Sequence, residues 1–257
     1  MPTGVGNPDP ACGRRHELHL RFGVGLRLFL APRFRSGSVA VSWDGTSSLG
    51  HVVESLGVPL PEVGSLEIGG HQVPPSHRPQ PGDTIMVGAI GRPQPLGSPR
   101  FILDVHLGAL ARRMRLVGLD TLYSNDSSDE ALIEVANAAR RVLLTRDRGL
   151  LRRRKLWLGA YVRGDRPDDQ LADVVDRFAP PLAPWTRCPA CNGPLKPVSK
   201  DGIEFLLLPG TRRTYDEFSR CGDCGQVYWH GAHAARLATI VAAAERRVAA
   251  RPEPQSR

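Results

Sequence analysis

The chain has 257 residues, enough for two or three small domains, and its 41% hydrophobic and 23% charged content is ordinary for a globular protein. No run approaches the roughly 18 apolar residues of a membrane span, and the polar N-terminal stretch lacks the apolar stretch of a signal peptide, so the expectation is a cytoplasmic protein with no membrane partner. The formal charge of +8 favours a polyanionic partner, RNA or DNA. That signal is diluted by composition, since all but three of the basic residues are arginine, as a GC-rich coding sequence would also give.

Residues 1–15 read as a disordered leader containing Cys12, a lone thiol. From Glu17 the chain alternates, with Leu18, Leu20 and Phe22 separated by His19 and Arg21, which predicts a half-buried strand. Val39–Val41 predicts another, and a helix spans about Ser48 to Leu56 and stops at Gly57. Short strands follow at Leu66–Ile68 and Thr84–Val87, so 16–90 reads as a small α+β domain. Residues 91–99, rich in Gly and Pro, form a linker.

Beyond it the texture changes to alternating strand and helix. Phe101–Leu103 is a short apolar strand, and Leu107, Leu110, Met114 and Val117 make one face of a helix that ends at Gly118. Thr121–Tyr123, Val142–Thr145 and Ala160–Val162 are three further strands. Helices at about Asp129–Arg141, capped by Ser127 or Ser128, and at Gln170–Phe178 complete the pattern. The fold class expected for 100–180 is therefore α/β with a small parallel sheet. A cysteine-bearing segment occupies 181–233, and a helix with a polar tail occupies 234–257.

Cys188-Pro-Ala-Cys191 and Cys221-Gly-Asp-Cys224 are two knuckles separated by 29 residues. Each presents two thiolates from one tight turn, and together they supply the four soft donors of a structural Zn²⁺. Disulfides or redox pairs are the competing readings. A cytoplasmic setting disfavours the first, and neither pair opens a helix as a thioredoxin-type motif would. The pattern predicts a zinc ribbon. His230 and His233, just after the second knuckle, are nucleic-acid contacts or packing residues, and the sequence leaves both open.

Every predicted strand of the central domain ends on or near an aspartate: Asp104, Asp126, Asp147 and Asp165, with Asp129 in the first turn of its helix. Ligands of parallel α/β sheets gather at the carboxyl ends of the strands. Crowded carboxylates call for a cation, and hard oxygen donors suit Mg²⁺ or Mn²⁺, which would serve phosphodiester cleavage. The bland alternative is that aspartate is common in loops. Arg146, Arg148, Arg152, Arg153, Arg154 and Lys155 lie close by in sequence, either as a solvated face or as contacts for RNA phosphates.

Phe101-Ile-Leu-Asp104-Val-His-Leu-Gly, Gly118-Leu-Asp-Thr-Leu-Tyr-Ser-Asn-Asp126, Leu144-Thr-Arg-Asp147 and Val227-Tyr-Trp-His-Gly-Ala-His233 together resemble the Mut7-C RNase domain, a branch of the PIN-like nucleases. The resemblance covers about 100–235 and takes in both knuckles. It implies metal-dependent cleavage of RNA with Asp104, Asp129 and Asp147 as the acids. Only 24 residues lie between Asp104 and Asp129, too few for the helices that bring a further acid in larger PIN domains. Asp126, Glu130 and Asp165 are the nearby substitutes.

Val53-Glu-Ser-Leu-Gly-Val-Pro59, Gly70 and Gly82-Asp-Thr-Ile-Met-Val87 resemble the ubiquitin-like (β-grasp) domain fused to that nuclease and similar to the ThiS/MoaD sulfur carriers. Sulfur carriers end in a free Gly-Gly, whereas this chain continues through Gly91-Arg92, so a binding or positioning role is expected instead. Two other functions stay open at this stage: a non-catalytic RNA- or ribosome-binding protein with a degenerate site, and a zinc-ribbon DNA-binding regulator.

Overall fold

The computed structural model describes residues 17–94, 96–229, 231 and 234–250, with the backbone alone for Ala234 and Ala235. The leader at 1–15 with Cys12, the ribbon residues His230 and His233, and the tail beyond 250 lie outside the described residues. Two compact units result, one ending at Ile90 and one starting at Gly91.

In the first unit, β1 (Glu17–Phe22), β2 (Ser38–Ser42), β3 (Val63–Ile68), β4 (His71–Gln72) and β5 (Thr84–Ala89) form one mixed sheet, and α1 (Leu49–Ser55) is its α-helix. The order is β2-β1-β5-β3-β4. β1 runs antiparallel to β2 and parallel to β5, which places the first and last long strands side by side at the centre. Leu18, Leu20 and Phe22 are buried while Glu17, His19 and Arg21 are exposed, the period-two pattern of a sheet with one core face. Leu49 and Val53 of α1 are buried with Ile85 and Val87 of β5. The Ser48 hydroxyl caps α1 by accepting the His51 N–H. Gly69 and Gly70, at φ +58° and +81°, form the two-residue turn between β3 and β4, where two positive φ values favour glycine.

The second unit carries a parallel sheet of β6 (Phe101–Leu103), β7 (Thr121–Tyr123), β8 (Val142–Thr145) and β9 (Gly159–Tyr161) in the order β7-β6-β8-β9. All three pairings are parallel. The helices are α2 (Gly108–Leu116), α3 (Asp129–Ala138), α4 (Arg148–Leu151) and α5 (Pro167–Phe178). Successive strand residues point to opposite faces, so a fully apolar strand must be covered twice. Phe101, Leu103, Val142 and Leu144 pack with Leu110 and Met114 of α2 and Val174 and Phe178 of α5. Ile102 and Leu143 pack on the other face with Leu132, Ile133 and Ala136 of α3 and Leu150 of α4. The result is mixed α/β, as expected from the alternation of strand and helix.

Gly118 ends the α2 segment at φ +86°, and a β-carbon there would lie 2.0 Å from the Ala183 carbonyl oxygen. Only glycine fits both the backbone angle and that approach. The chain then forms a three-stranded antiparallel sheet, β10 (Leu195–Val198), β11 (Phe218–Cys221) and β12 (Val227–Trp229), with α6 (Pro209–Thr214) between β10 and β11. Its own core is small: Ile203, Phe218 and Val227, with Val198, Leu207 and Tyr215 partly buried around them. The last helix, α7 (Ala234–Ala249), returns to the parallel-sheet core through Ile240, Val241 and Ala244.

Candidate functional site

The order β7-β6-β8-β9 puts the reversal of strand order between β6 and β8, since the chain leaves β6 for one side and returns on the other. Crevices at such switch points, beyond the carboxyl ends of the strands, are where open α/β sheets bind ligands. Asp104 follows β6 and Asp147 follows β8, so the two flank that reversal. Thr145 links them: its buried hydroxyl donates to Asp104 Oδ2 at 2.6 Å and accepts the Asp147 N–H at 2.8 Å. Asp104 itself is buried, whereas Asp147 is exposed and caps α4 by accepting the Gly149 N–H at 2.6 Å. The Tyr123 hydroxyl donates to the Val105 carbonyl at 2.9 Å and so braces the turn that follows Asp104.

The other acids are held by partners of their own. Asp126 is exposed and accepts a hydrogen bond from Ser124. Asp129 lies 3.9 Å from Arg153, which also pairs with Glu130 at 3.4 Å. Asp165 pairs with Arg146 at 2.9 Å, and the same guanidinium donates to the Gly164 carbonyl. Arg152, Arg153, Arg154 and Lys155 are exposed, and Arg148 is half-buried in α4. The basic run therefore meets the acidic edge in part by neutralising it, through Arg153 and Arg146. Among the described residues, the acids do not make a group of three or more potential ligands within 4.8 Å of one another.

Thr145 was visible in the sequence only as part of a motif. Its position between the two acids depends on strand pairing, which no local pattern encodes. Valine has its shape without its hydroxyl, so Thr145→Val leaves the Asp147 N–H and one Asp104 oxygen short of a partner. The expected outcome is a loss of about 1–3 kcal/mol in a urea titration. Any cleavage activity resting on Asp104 and Asp147 should fall about tenfold or more, and added Mn²⁺ should recover part of it.

The cysteines do form such a group. Cys188, Cys191, Cys221 and Cys224 have sulfurs all within 4.8 Å of one another. Cys188 and Cys224 are 3.7 Å apart and Cys191 and Cys221 are 3.4 Å apart, too long for a disulfide. A tetrahedron with Zn–S bonds of about 2.3 Å has edges of about 3.8 Å, so four sulfurs at this spacing fit zinc. Each knuckle aims backbone N–H groups at its sulfurs: Gly193 to Cys191, and Asp223 and Cys224 to Cys221, at 3.4–3.5 Å. Such donors favour thiolates.

Four thiolates at this spacing would repel one another, a cost that a bound cation would offset. Burial and the neighbouring sulfurs push Cys191 up to about 12. Burial also raises Cys188, but the Tyr228 hydroxyl 3.0 Å from its sulfur and nearby backbone N–H groups outweigh that and bring it to about 7. Tyr228 is in turn raised by burial and by the Cys188 sulfur.

The first knuckle is fastened to the amino-terminal edge of the parallel sheet. Buried Arg115, from α2, donates to the Thr121 carbonyl at 2.9 Å and to the carbonyls of Pro189 and Ala190 at 3.1 and 2.7 Å. Asn192 accepts the Thr121 N–H at 2.9 Å and donates to Asp120 at the same distance. Asp120 also receives Arg141 at 2.7 Å and lies 3.6 Å from Arg187. Burial raises Asp120, but hydrogen bonds from Arg141 and Asn192 outweigh it and hold the carboxyl below its ordinary value.

A carboxyl depressed in the folded state adds stability that is complete above the unfolded value of about 3.9 and is lost as the pH falls through the folded one. Asp120→Ala leaves the largely buried Arg141 without its acid. It should cost about 2–3 kcal/mol at neutral pH, less than a fully buried pair because water reaches Asp120. Repeating the denaturation at pH 3 should shrink the difference from the parent.

The model of the Mut7-C RNAse domain matches residues 99–241, more than half of the chain, and that of Mut7-C ubiquitin matches residues 15–94. The chain belongs to the Mut7-C RNAse family. Comparison with curated proteins and with solved structures found no match. The Mut7-C RNAse match runs from just before β6 into α7, so it takes in the switch-point acids and all four cysteines as one module. The Mut7-C ubiquitin match covers the sheet of the first unit. No helix among the described residues is long and apolar enough to cross a membrane.

Proposed function

We propose that the protein is a cytoplasmic metal-dependent ribonuclease that hydrolyses RNA phosphodiester bonds at the crevice between β6 and β8. The observation that carries this reading is the pair Asp104 and Asp147, set beyond the two central strands and tied together by Thr145. Membership of the Mut7-C RNAse family supports it. Hard carboxylate oxygens suit Mg²⁺ or Mn²⁺, which when bound would stabilise charge on the phosphate and lower the pKa of an attacking water. Asp104, held by Thr145, orients one set of donors, and exposed Asp147 completes it from the head of α4. Asp126, Asp129 and Asp165 are the outer acids from which a further ligand would come. Arg146 and Arg153 would exchange these carboxylates for RNA phosphates as substrate arrives, with Arg148, Arg152, Arg154 and Lys155 beside them.

Within this scheme 16–90 is a β-grasp binding or positioning domain and 181–233 is a zinc ribbon that stiffens the nuclease. One observation favours a second reading. Asp129 and Asp165 are already paired with arginines, as in a site that binds RNA or a ribosome without cutting. Incubating zinc-loaded protein with labelled single-stranded RNA and duplex DNA across a Mn²⁺ titration separates the two. Metal-dependent RNA products support the nuclease. RNA retained uncut at every Mn²⁺ concentration supports the binder, and a preference for duplex DNA supports neither.

A further inference from the structure

A groove of about 580 Å³ runs between α2, the segment leading into the first knuckle, the three-stranded sheet and α7. That volume lies in the range of ligand sites. The knuckle beside it is bonded to Thr121 at the start of β7. Trp185, Phe218, Tyr228 and Trp229 contribute ring surface to its lining. Trp229 is 40% exposed on edge strand β12, and its ring lies 6.4 Å from Phe218. Trp185 is held at φ +63°, a costly angle for a bulky side chain, while its N–H donates to the Leu116 carbonyl.

Three guanidiniums, those of Arg112, Arg113 and Arg187, share the groove with these rings. Arg113 is positioned by Asp168 at 2.8 Å, Arg187 by Asp120 at 3.6 Å, and Arg112 is exposed. Of the two carboxylates that also line it, Asp216 is paired with Lys200 at 2.7 Å. Flat apolar rings beside guanidiniums match the two faces of an unpaired nucleotide, a stacking base and an anionic phosphate. A duplex hides its bases and offers only the second.

We propose that this groove binds single-stranded RNA, with unpaired bases stacked on Trp229 and Trp185 and phosphates held by Arg112 and its neighbours. The proposal rests on the ribonuclease reading for its choice of polyanion. It gives that reading a substrate class: RNA with an unpaired stretch.

The test is fluorescence anisotropy with a labelled 12-nucleotide single strand and its duplex. It uses the full zinc-loaded chain carrying Asp104→Asn, without Mg²⁺ or Mn²⁺, so that cleavage is silent. Adding Trp229→Ala should weaken single-strand binding about tenfold, and Trp229→Phe, which keeps a ring, by much less. Arg112→Ala, on an exposed helix position that folding does not need, should weaken it severalfold and lower the salt slope by about one.

Duplex affinity should change little with the tryptophan. Single-strand binding like the parent's in Trp229→Ala and Arg112→Ala would overturn the proposal, as would equal losses on duplex. So would a Trp229-dependent dimer with unchanged RNA affinity. If the chain cleaves RNA but these variants bind it normally, the groove fails and the ribonuclease stands. If it cleaves nothing yet Trp229→Ala still loses single-stranded RNA, the reverse holds.

Discussion

Stripping zinc from the folded chain should remove several kcal/mol of stability from residues 91–257 and lower their melting temperature by well over ten degrees. Among the described residues, the antiparallel sheet that carries the knuckles has Ile203, Phe218 and Val227 as its buried core, too little to hold three strands together unaided. Structural zinc contributes about 10–16 kcal/mol of apparent binding energy in small peptides, and that energy is folding energy. The damage should not stay local. Arg115 spends two of its hydrogen bonds on the carbonyls of Pro189 and Ala190, inside the first knuckle. A collapsed knuckle leaves that buried guanidinium under-bonded against the start of β7, at a cost of about 1–3 kcal/mol to the parallel-sheet core.

Thermal melts by circular dichroism, with released zinc measured by a colorimetric chelator, check this. One zinc per chain should be released together with the transition of the second unit. Cys221→Ser should mimic the stripped protein. An unchanged melting curve after complete removal of zinc would contradict the structural role.

Asp104→Asn and Asp147→Asn should each lower RNA cleavage by about a hundredfold or more, because each removes a charge from the pair that flanks the strand reversal. Losing a residue that only orients a metal ligand costs about ten- to a hundredfold, and losing a direct ligand should cost at least as much. The two substitutions should be far from additive. Residues that act as one unit lose most of their joint effect when the first is removed, so the double variant should be little worse than the poorer single. Asp129→Asn is expected to cost less, since Arg153 already offsets that charge. Single-turnover rates at saturating Mn²⁺ measure all four. A penalty for Asp129→Asn as large as that for Asp104→Asn would mean that the Arg153 pair opens when substrate binds.

Much of the architecture was legible because local patterns report it. Leu18, Leu20 and Phe22 alternate and are buried on one face of β1. The spacing of Leu107, Leu110, Met114 and Val117 marked a helix that forms as Gly108–Leu116, and the acids after Ser128 marked the start of α3. Boundaries drifted where neither cap nor periodicity was decisive. The helix expected to reach about Arg141 ends at Ala138, because the backbone turns left-handed at Arg140 (φ +50°), and Arg141 beyond it pairs with Asp120. The helix expected from Gln170 begins at Pro167, where proline suits a first helical turn.

At the site, strand-end aspartates could be read from the chain, but which two would face each other could not. That choice depends on β8 pairing directly with β6, a contact between residues some forty positions apart. The fastening of the first cysteine knuckle by Arg115, Asn192 and Asp120 was equally invisible. Arg115 sits among apolar helix residues, and its partners come from a segment more than seventy positions later. The aromatic groove has the same character, since Trp185 and Trp229 approach it from opposite sides of both knuckles.

The most direct test of the central claim is cleavage of total RNA and tRNA with Mn²⁺ by the purified chain, beside the Asp104→Asn/Asp147→Asn variant at equal zinc content. The switch-point site predicts metal-dependent products from the parent that vanish in the variant and return to background with chelator. Equal cleavage by both proteins, or bound but intact RNA with the parent, would contradict it.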